Sequence, residues 1–495
     1  MLPISLRPNG RRVVIVGGGH VAARKAKSIA GAGFPIFVVA LRVGDRLRSI
    51  LSESGGTYEQ RAYEARDLQN ASLVVAATDD PALNARIVAD ARAAHALVCD
   101  AAVPDRGDFT MPATQWIGEL TISADSGGSA PAFSRRVVAE LAQTLGAPYA
   151  DAVRTLAQMR AYVKAAFPEE ERGAILRALA QRPISELAAT PMTVVCATRR
   201  SELATVQSRS VAARLAERAI ATTLLGVTTT GDRDRQTPIA QLGAVNVFVK
   251  ELENALRERR ADYAVHSAKD LAASLPDDLC IAAISRREDA RDAFCSERYP
   301  DFESLPAGAV VGTSSPRRQA QLAALRPDLR YESLRGNVDT RLRKLKAGEY
   351  DAIVLAMAGL NRLGARARHV APFAPERVVP AVGQGALAIE IRADDERLAT
   401  VLRDAVNDAE SELCVICERA ALARLRAGCS APLGIYASLE DGTMVVEGAF
   451  AAPTGALTRA RLEREISTPA QAETLGTELA DRLRASNPKP MGAAR

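Results

Sequence analysis

Four short stretches crowd cations and hydroxyls where helices are expected to begin. They are ATRRSELA (Ala197–Ala204), AVHSAKDL (Ala264–Leu271), VGTSSPRRQAQL (Val311–Leu322) and LRGNVDTRLRKL (Leu334–Leu345). Cationic side chains at helix N-termini run against the macrodipole, so something else must be gained there. Backbone N–H groups, hydroxyls and guanidinium forks converging on one cleft would bind carboxylates. A single arginine is most often a solvated surface residue. A device repeated in four strand-to-helix turns is better read as a site, because ligands in α/β sheets sit at the carboxyl ends of strands. AVHSAKDL adds a carboxylate, Asp270, beside Lys269, and a carboxylate in such a cleft can move protons. Further along, RLRAGCSAPLG (Arg424–Gly434) sets Cys429 between a glycine and a serine in a tight polar turn. Burial does not explain a thiol there.

The N-terminus carries a different device. RRVVIV runs into Gly17-Gly18-Gly19 and a helix-like stretch, giving Gly17-x-Gly19-x-x-Ala22 after a strand. That is the context of a dinucleotide fingerprint, in which glycines let the backbone approach a pyrophosphate at a helix N-terminus. The acidic residue that usually takes a ribose hydroxyl is missing, since the second strand ends at Ala40-Leu41. A strand–turn–helix without ligand is the competing reading.

The elements that must position these groups follow from the rest of the chain. At 495 residues three or four domains are expected. Strand and helix signals alternate to about residue 133, helical composition fills 134–187, and a new alternation opens at Met192 and runs to about 405. The expected class is therefore α/β with covering helices. Charge is mild at +5, aromatics are 4 %, and no apolar run is long enough to span a membrane. This argues against a nucleic-acid or membrane partner and fits a small anionic substrate. Seven cysteines without framework spacing and no leader-like segment lead to an expectation of a reducing cytoplasm. Cys414-x-x-Cys417 reads as core, His266 as a structural group beside Asp270, and four dispersed histidines predict no metal site.

Residues 192–490 resemble porphobilinogen deaminase (hydroxymethylbilane synthase). The resemblance rests on ATRRSELA, FVKELE, HSAKDL, GTSSPRRQ, LRGNVDTRL, YDAIVLAMAGLNRLG, AVGQGALAIE and ERAALARLRAGCSAPLG, in that order. It implies that four porphobilinogen molecules are joined head to tail with loss of ammonia, and that the product leaves as hydroxymethylbilane. A dipyrromethane cofactor linked through a thioether to Cys429 would prime the chain, with Asp270 catalytic. Cofactor contacts would fall on Lys269, Ser267, Thr313, Ser314, Ser315, Arg317 and Arg318. Substrate contacts would fall on Arg199, Ser201, Phe248, Arg335, Arg341 and Arg362. The loop QLGAVN (Gln241–Asn246) departs from the family's glycine- and lysine-rich form.

Residues 1 to about 187 resemble the precorrin-2 dehydrogenase/sirohydrochlorin ferrochelatase module of siroheme synthase, through VVIVGGGHVAARKA, AATDD, FTMPA and SGGSAP. The resemblance implies NAD held by Gly17, Gly19, His20, Val21, Ala40 and Leu41, oxidation of precorrin-2, iron insertion, and a homodimer formed through this module. Ala102 stands where that family carries an aspartate, and a methyl group can neither move a proton nor hold iron. Two readings therefore stay open: an active module, or one that keeps the fold with impaired chemistry. A tetrapyrrole-binding scaffold without full turnover is the alternative for the whole chain. The expected organisation is a Rossmann-like domain at 1–133 and a helical bridge at 134–188. A three-domain deaminase follows: two hinged, periplasmic-binding-protein-like α/β domains (189–288 with 384–405, and 289–383) and a small α+β domain (406–490).

Overall fold

The computed structural model describes residues 2–189, 192–227, 249–426, 431–452 and 456–485. The chain divides into two compact units, 1–154 and 155–495.

The first unit is built on β1 (Arg12–Val16), β2 (Ile36–Ala40), β3 (Thr57–Gln60), β4 (Ala71–Ala76) and β5 (Leu97–Asp100), all parallel in the order β3-β2-β1-β4-β5. Side chains alternate across a strand. Val13 and Ile15 therefore pack with Ala22 and Ala26 of helix His20–Gly31 on one face, while Val14 and Val16 meet Ile87 and Val88 of helix Pro81–Ala93 on the other. Burial on both faces is why these strands read as unbroken valine and isoleucine runs. The edge strand β3, TYEQ, is exposed and polar, which blunts edge-to-edge pairing. The order reverses between β1 and β4, and that switch point is where a ligand crevice opens in such sheets. A hairpin follows, β6 (Ala113–Ile117) with β7 (Leu120–Ala124). The long helix Pro131–Ala166 comes next, with a non-helical kink at Gly146 (φ 62°) just before Pro148.

The second unit contains β8 (Met192–Arg199), β9 (Ile220–Val227), β10 (Tyr263–Ser267), β11 (Leu279–Ile284), β12 (Asp292–Ser296), β13 (Val310–Gly312), β14 (Arg330–Glu332), β15 (Ala352–Ala356), β16 (His369–Pro372) and β17 (Leu387–Arg392). They form two mixed five-stranded sheets, ordered β11-β17-β10-β8-β9 and β14-β13-β15-β12-β16. The chain leaves the first sheet after β11 and returns to it at β17. Two crossings, near 285–291 and 373–386, thus join two α/β layers as a hinge would. β18 (Leu433–Glu440), β19 (Thr443–Ala451) and β20 (Leu457–Glu465) form an antiparallel sheet covered by helices Ala409–Leu425 and Pro469–Ala485. Cys414 and Cys417 are buried in that core, as core cysteines should be.

Two polar devices hold this unit together. Tyr162, in the last turns of the long helix, donates from its hydroxyl to Thr222 O at 3.0 Å and accepts from Thr222 N at 2.9 Å. It thereby closes the free edge of β9. Glu418 is fully buried and accepts from Arg287 Nη1 and Nη2 (2.7 and 3.0 Å), Gly383 N (2.6 Å) and Ala437 N (2.8 Å). One carboxylate therefore ties both crossings to the C-terminal sheet.

Candidate functional site

The four stretches flagged in the sequence all sit where a strand hands over to a helix. β8 ends at Arg199, and Ser201 caps helix Glu202–Ala216 by accepting from Ala204 N. β10 ends at Ser267, and Lys269 and Asp270 follow in one 3₁₀ turn, Ala268–Asp270. β13 leads into Thr313-Ser314-Ser315. There Ser315 caps helix Pro316–Leu325, and proline at the first helical position costs nothing because its missing N–H would be unpaired anyway. Asn337 caps helix Val338–Lys346. Polar residues are favoured at these caps because helix starts leave backbone N–H groups unpaired.

These turns converge on one cleft that opens to solvent. Its polar lining is Arg199, Ser201, Gln207, His266, Ser267, Lys269, Asp270, Arg318, Arg341, Arg362 and Gln384. Among the described residues Asp270 is the one carboxylate in that lining, against five cations. Arg341 is pushed down to about 10, first by burial and then by Arg318 and Arg335. Lys269, half-buried by surface area, lies deep enough that desolvation dominates. It falls to about 8, with Asp270 opposing and Arg318 adding to the shift. Burial also lowers Arg362, whose Nη2 donates to Gly385 O at 2.7 Å. Like charges gathered and desolvated in this way are costly and mark a place for an anion with several carboxylates.

The Lys269 shift carries a sign. The ammonium is present below about pH 8 and lost as pH rises through it. The KM for an anionic substrate is therefore expected to climb several-fold over about one unit above pH 8. Lys269→Arg should flatten that climb in initial-rate measurements, because a guanidinium stays charged. A climb that persists in the variant would assign the effect elsewhere.

Some sequence-selected residues are not among those that line the cleft. Arg317 is buried and committed: its Nη1 donates to Asp292 Oδ2 (2.6 Å) and Val379 O (2.8 Å). Ser314 Oγ donates to Leu334 O at 2.6 Å, Thr313 is buried, and Ser315 is engaged as a cap. These three, with Arg317 and Arg335, are not among the lining residues. Cys429, Phe248 and the Gln241–Asn246 loop lie outside the described residues.

Two residues that sequence reasoning missed organise the rest. Asp292 is fully buried and receives Arg317, Arg318 (Nε 3.0 Å, Nη2 2.7 Å) and Gln384 Nε2 (2.9 Å). Gln384 turns its Oε1 toward Lys269 Nζ at 3.4 Å. His266, the sequence's structural candidate, pairs with buried Glu390 at 2.9 Å. RDAF around Asp292 carries no spacing signal. Only a buried aspartate in an otherwise apolar strand hinted at a partner.

In the first unit Gly17 adopts φ +127°, and a methyl group there would collide with the Ala77 carbonyl; one on Gly18 would collide with Arg42 O. These two glycines therefore serve close packing of the turn. Gly19 faces open space and begins helix His20–Gly31 without a side-chain cap, which leaves N–H groups for an anion. His20, Val21 and Leu41 are exposed around it, and Ala40 is nearly buried. Asp100, two residues before Ala102, does not replace the missing carboxylate. Its Oδ1 is taken by Ala102 N and Val103 N (2.9 and 3.0 Å), and Oδ2 is buried 3.5 Å from Arg106.

Known proteins agree with this division. Residues 194–400 match the family model "Porphobilinogen deaminase, dipyromethane cofactor binding domain", and residues 412–485 match "Porphobilinogen deaminase, C-terminal domain". Residues 4–113 match "Putative NAD(P)-binding". Porphobilinogen deaminase of Chromobacterium violaceum is 46 % identical over 304 residues, 61 % of this chain and 97 % of that protein. Among solved structures, "SirC, precorrin-2 dehydrogenase" aligns at 23 % identity and TM-score 0.31, covering 36 % of this chain and 89 % of its own. A substrate binding protein of an amino acid ABC transporter aligns at 15 % identity and TM-score 0.24, covering 43 % and 91 %. With a curated relative matched along nearly its whole length, and with both deaminase family models matched in order, the chain belongs to the porphobilinogen deaminase family, carrying an NAD(P)-binding domain ahead of it.

Proposed function

We propose that the cleft of the second unit condenses porphobilinogen into hydroxymethylbilane, with Asp270 as its proton-transferring group and Cys429 as the anchor of a dipyrromethane. The observation that carries this reading is the cleft's charge pattern: one carboxylate among five cations in the described lining. Every added pyrrole brings an acetate and a propionate, so a growing chain needs many cationic partners. Arg199, Lys269, Arg318, Arg341 and Arg362 supply them, and Ser201 and Ser267 add hydroxyl donors. When bound, the dipyrromethane supplies the terminal pyrrole carbon to which each unit is joined. Asp270 stands where it can stabilise pyrrole N–H cations and pass protons to the departing amine and from the new ring carbon. Buried Arg317, held by Asp292, and buried Thr313 support this wall, and Ser315 caps the helix that carries Arg318.

For the first unit we propose a nicotinamide dinucleotide at Gly19, His20 and Val21, serving oxidation of a precorrin-2-like substrate. Ala102, with Asp100 held in its turn, points to slow chemistry there. Free, mostly buried cysteines support a cytoplasmic setting, and a homodimer through this unit is part of the same reading. No helix among the described residues is long and apolar enough to cross a membrane.

The intact mass of the purified chain tests the deaminase half. Protein expressed with ample porphobilinogen is expected to carry two pyrrole units beyond the polypeptide mass. Cys429→Ser should lose both the increment and bilane formation. An unmodified, carboxymethylatable Cys429 in active protein would sink the anchor assignment.

A further inference from the structure

Arg42 and Arg46 stand beside the glycine turn of the first unit, and no carboxylate among the described residues pairs with either. β2 ends at Ala40, and Arg42 follows two residues later, exposed and, among the described residues, without a side-chain hydrogen bond or ion pair. Arg46 is equally exposed and unpaired in the first turn of helix Asp45–Ser54, where a cation opposes the dipole. Several other arginines of this unit find carboxylates, as in Arg61–Asp67, Arg66–Glu64 and Arg92–Asp108, while Arg11, Arg12 and Arg48 bond backbone carbonyls.

The segment is held at the crevice. Gly44 N donates to Gly18 O at 3.1 Å, and the Arg42 carbonyl packs so closely over Gly18 that no side chain fits beneath it. β2 is the immediate neighbour of β1 in the sheet. In sheets of this topology the adenosine ribose reaches the carboxyl end of the second strand. An acidic side chain there takes the 2′-hydroxyl of NAD, whereas an arginine takes the 2′-phosphate of NADP. Here the strand runs out through Ala40-Leu41-Arg42, with no acid before Asp45.

We propose that the first unit prefers NADP to NAD, with Arg42 forking onto the 2′-phosphate and Arg46 adding charge beside it. This rests on reading the unit as a dinucleotide site and adds which form it selects. A phosphate dianion suits a planar guanidinium whose donors are unspent, and the bare helix start at Gly19 remains for the pyrophosphate.

Calorimetric titration of the full chain with NADP⁺ and NAD⁺ tests it. NADP⁺ is expected to bind at least about tenfold more tightly. Arg42→Ala should weaken NADP⁺ to near the NAD⁺ value and leave NAD⁺ unchanged, and Arg46→Ala should give a smaller loss of the same kind. Adenosine 2′,5′-bisphosphate should compete better than AMP against wild type and lose that advantage against Arg42→Ala. NAD⁺ binding as tightly as NADP⁺, or an Arg42→Ala variant that spares NADP⁺ or weakens both alike, overturns the phosphate assignment and leaves the dinucleotide site standing. Failure of both nucleotides to bind overturns the dinucleotide reading together with it.

Discussion

Asp270→Asn is expected to lower the rate of bilane formation about 10³-fold, within the range general acid–base groups contribute. Asparagine keeps the shape and can still accept a hydrogen bond, but it cannot exchange a proton or balance a pyrrole cation. No neighbour can take over, because the other ionisable residues in the described lining are His266, already paired with Glu390, and five cations. Asp270 is exposed at the end of a 3₁₀ turn, so the fold should survive the change. A second effect follows from Lys269, whose pKa Asp270 holds up against desolvation and Arg318. Removing the carboxylate should move the pH at which KM rises to below 8. The split between kcat and KM separates these effects: kcat carries the proton loss and KM the weakened lysine. A variant within tenfold of wild-type kcat would remove Asp270 from the chemistry.

Asp292→Asn is expected to cost about 3–5 kcal/mol of stability, the range found when one partner of a buried ion pair is removed. Arg317 and Arg318 are each about nine-tenths or more buried and share this one carboxylate. Asparagine would turn an amide toward two guanidiniums and leave both charges uncompensated. Burial alone would raise the Asp292 carboxyl, but the two arginines outweigh it and hold it well below the ordinary value of 3.8. For a carboxylate so depressed, the stabilisation is fully present above that ordinary value. It is lost only as pH falls well beneath it. The wild type should therefore keep this clamp in mild acid, while the variant lacks it at every pH. Urea melts give the stability difference. The intact mass gives a second readout, since a loosened Arg318 and a released Gln384–Lys269 contact should lower the fraction carrying the pyrrole increment. An Asp292→Asn protein with wild-type melting and full loading would show that the guanidiniums need no fixed partner.

These residues also show how far the sequence reaches. The glycine turn, the valine-rich parallel strands, the capped strand-to-helix turns and the run of deaminase motifs are local patterns. They follow from backbone geometry, side-chain alternation and unpaired helix N–H groups, and all can be read from residues within a few positions of one another. The sequence alone thus determined the fold class, and it singled out Arg199, Lys269, Asp270, Arg318 and Arg341, which the structure gathers in one cleft. Which member of the Arg317-Arg318 pair would line the cleft was not legible there. Successive helix positions point about 100° apart, and either could have faced the core. That choice belongs to Asp292, some 25 residues away on β12, and to Gln384 on the returning crossing. Asp292 sat in a segment with no spacing signal, and Gln384 lay within AVGQGALAIE without being singled out. That the nearby Asp100 has one oxygen held by the backbone of its own turn is likewise a matter only the structure decides. Local propensity writes motifs into the chain, but the pairing of buried charges is a long-range matter. It is settled only when strands distant in sequence close on each other and leave a carboxylate no water to turn to.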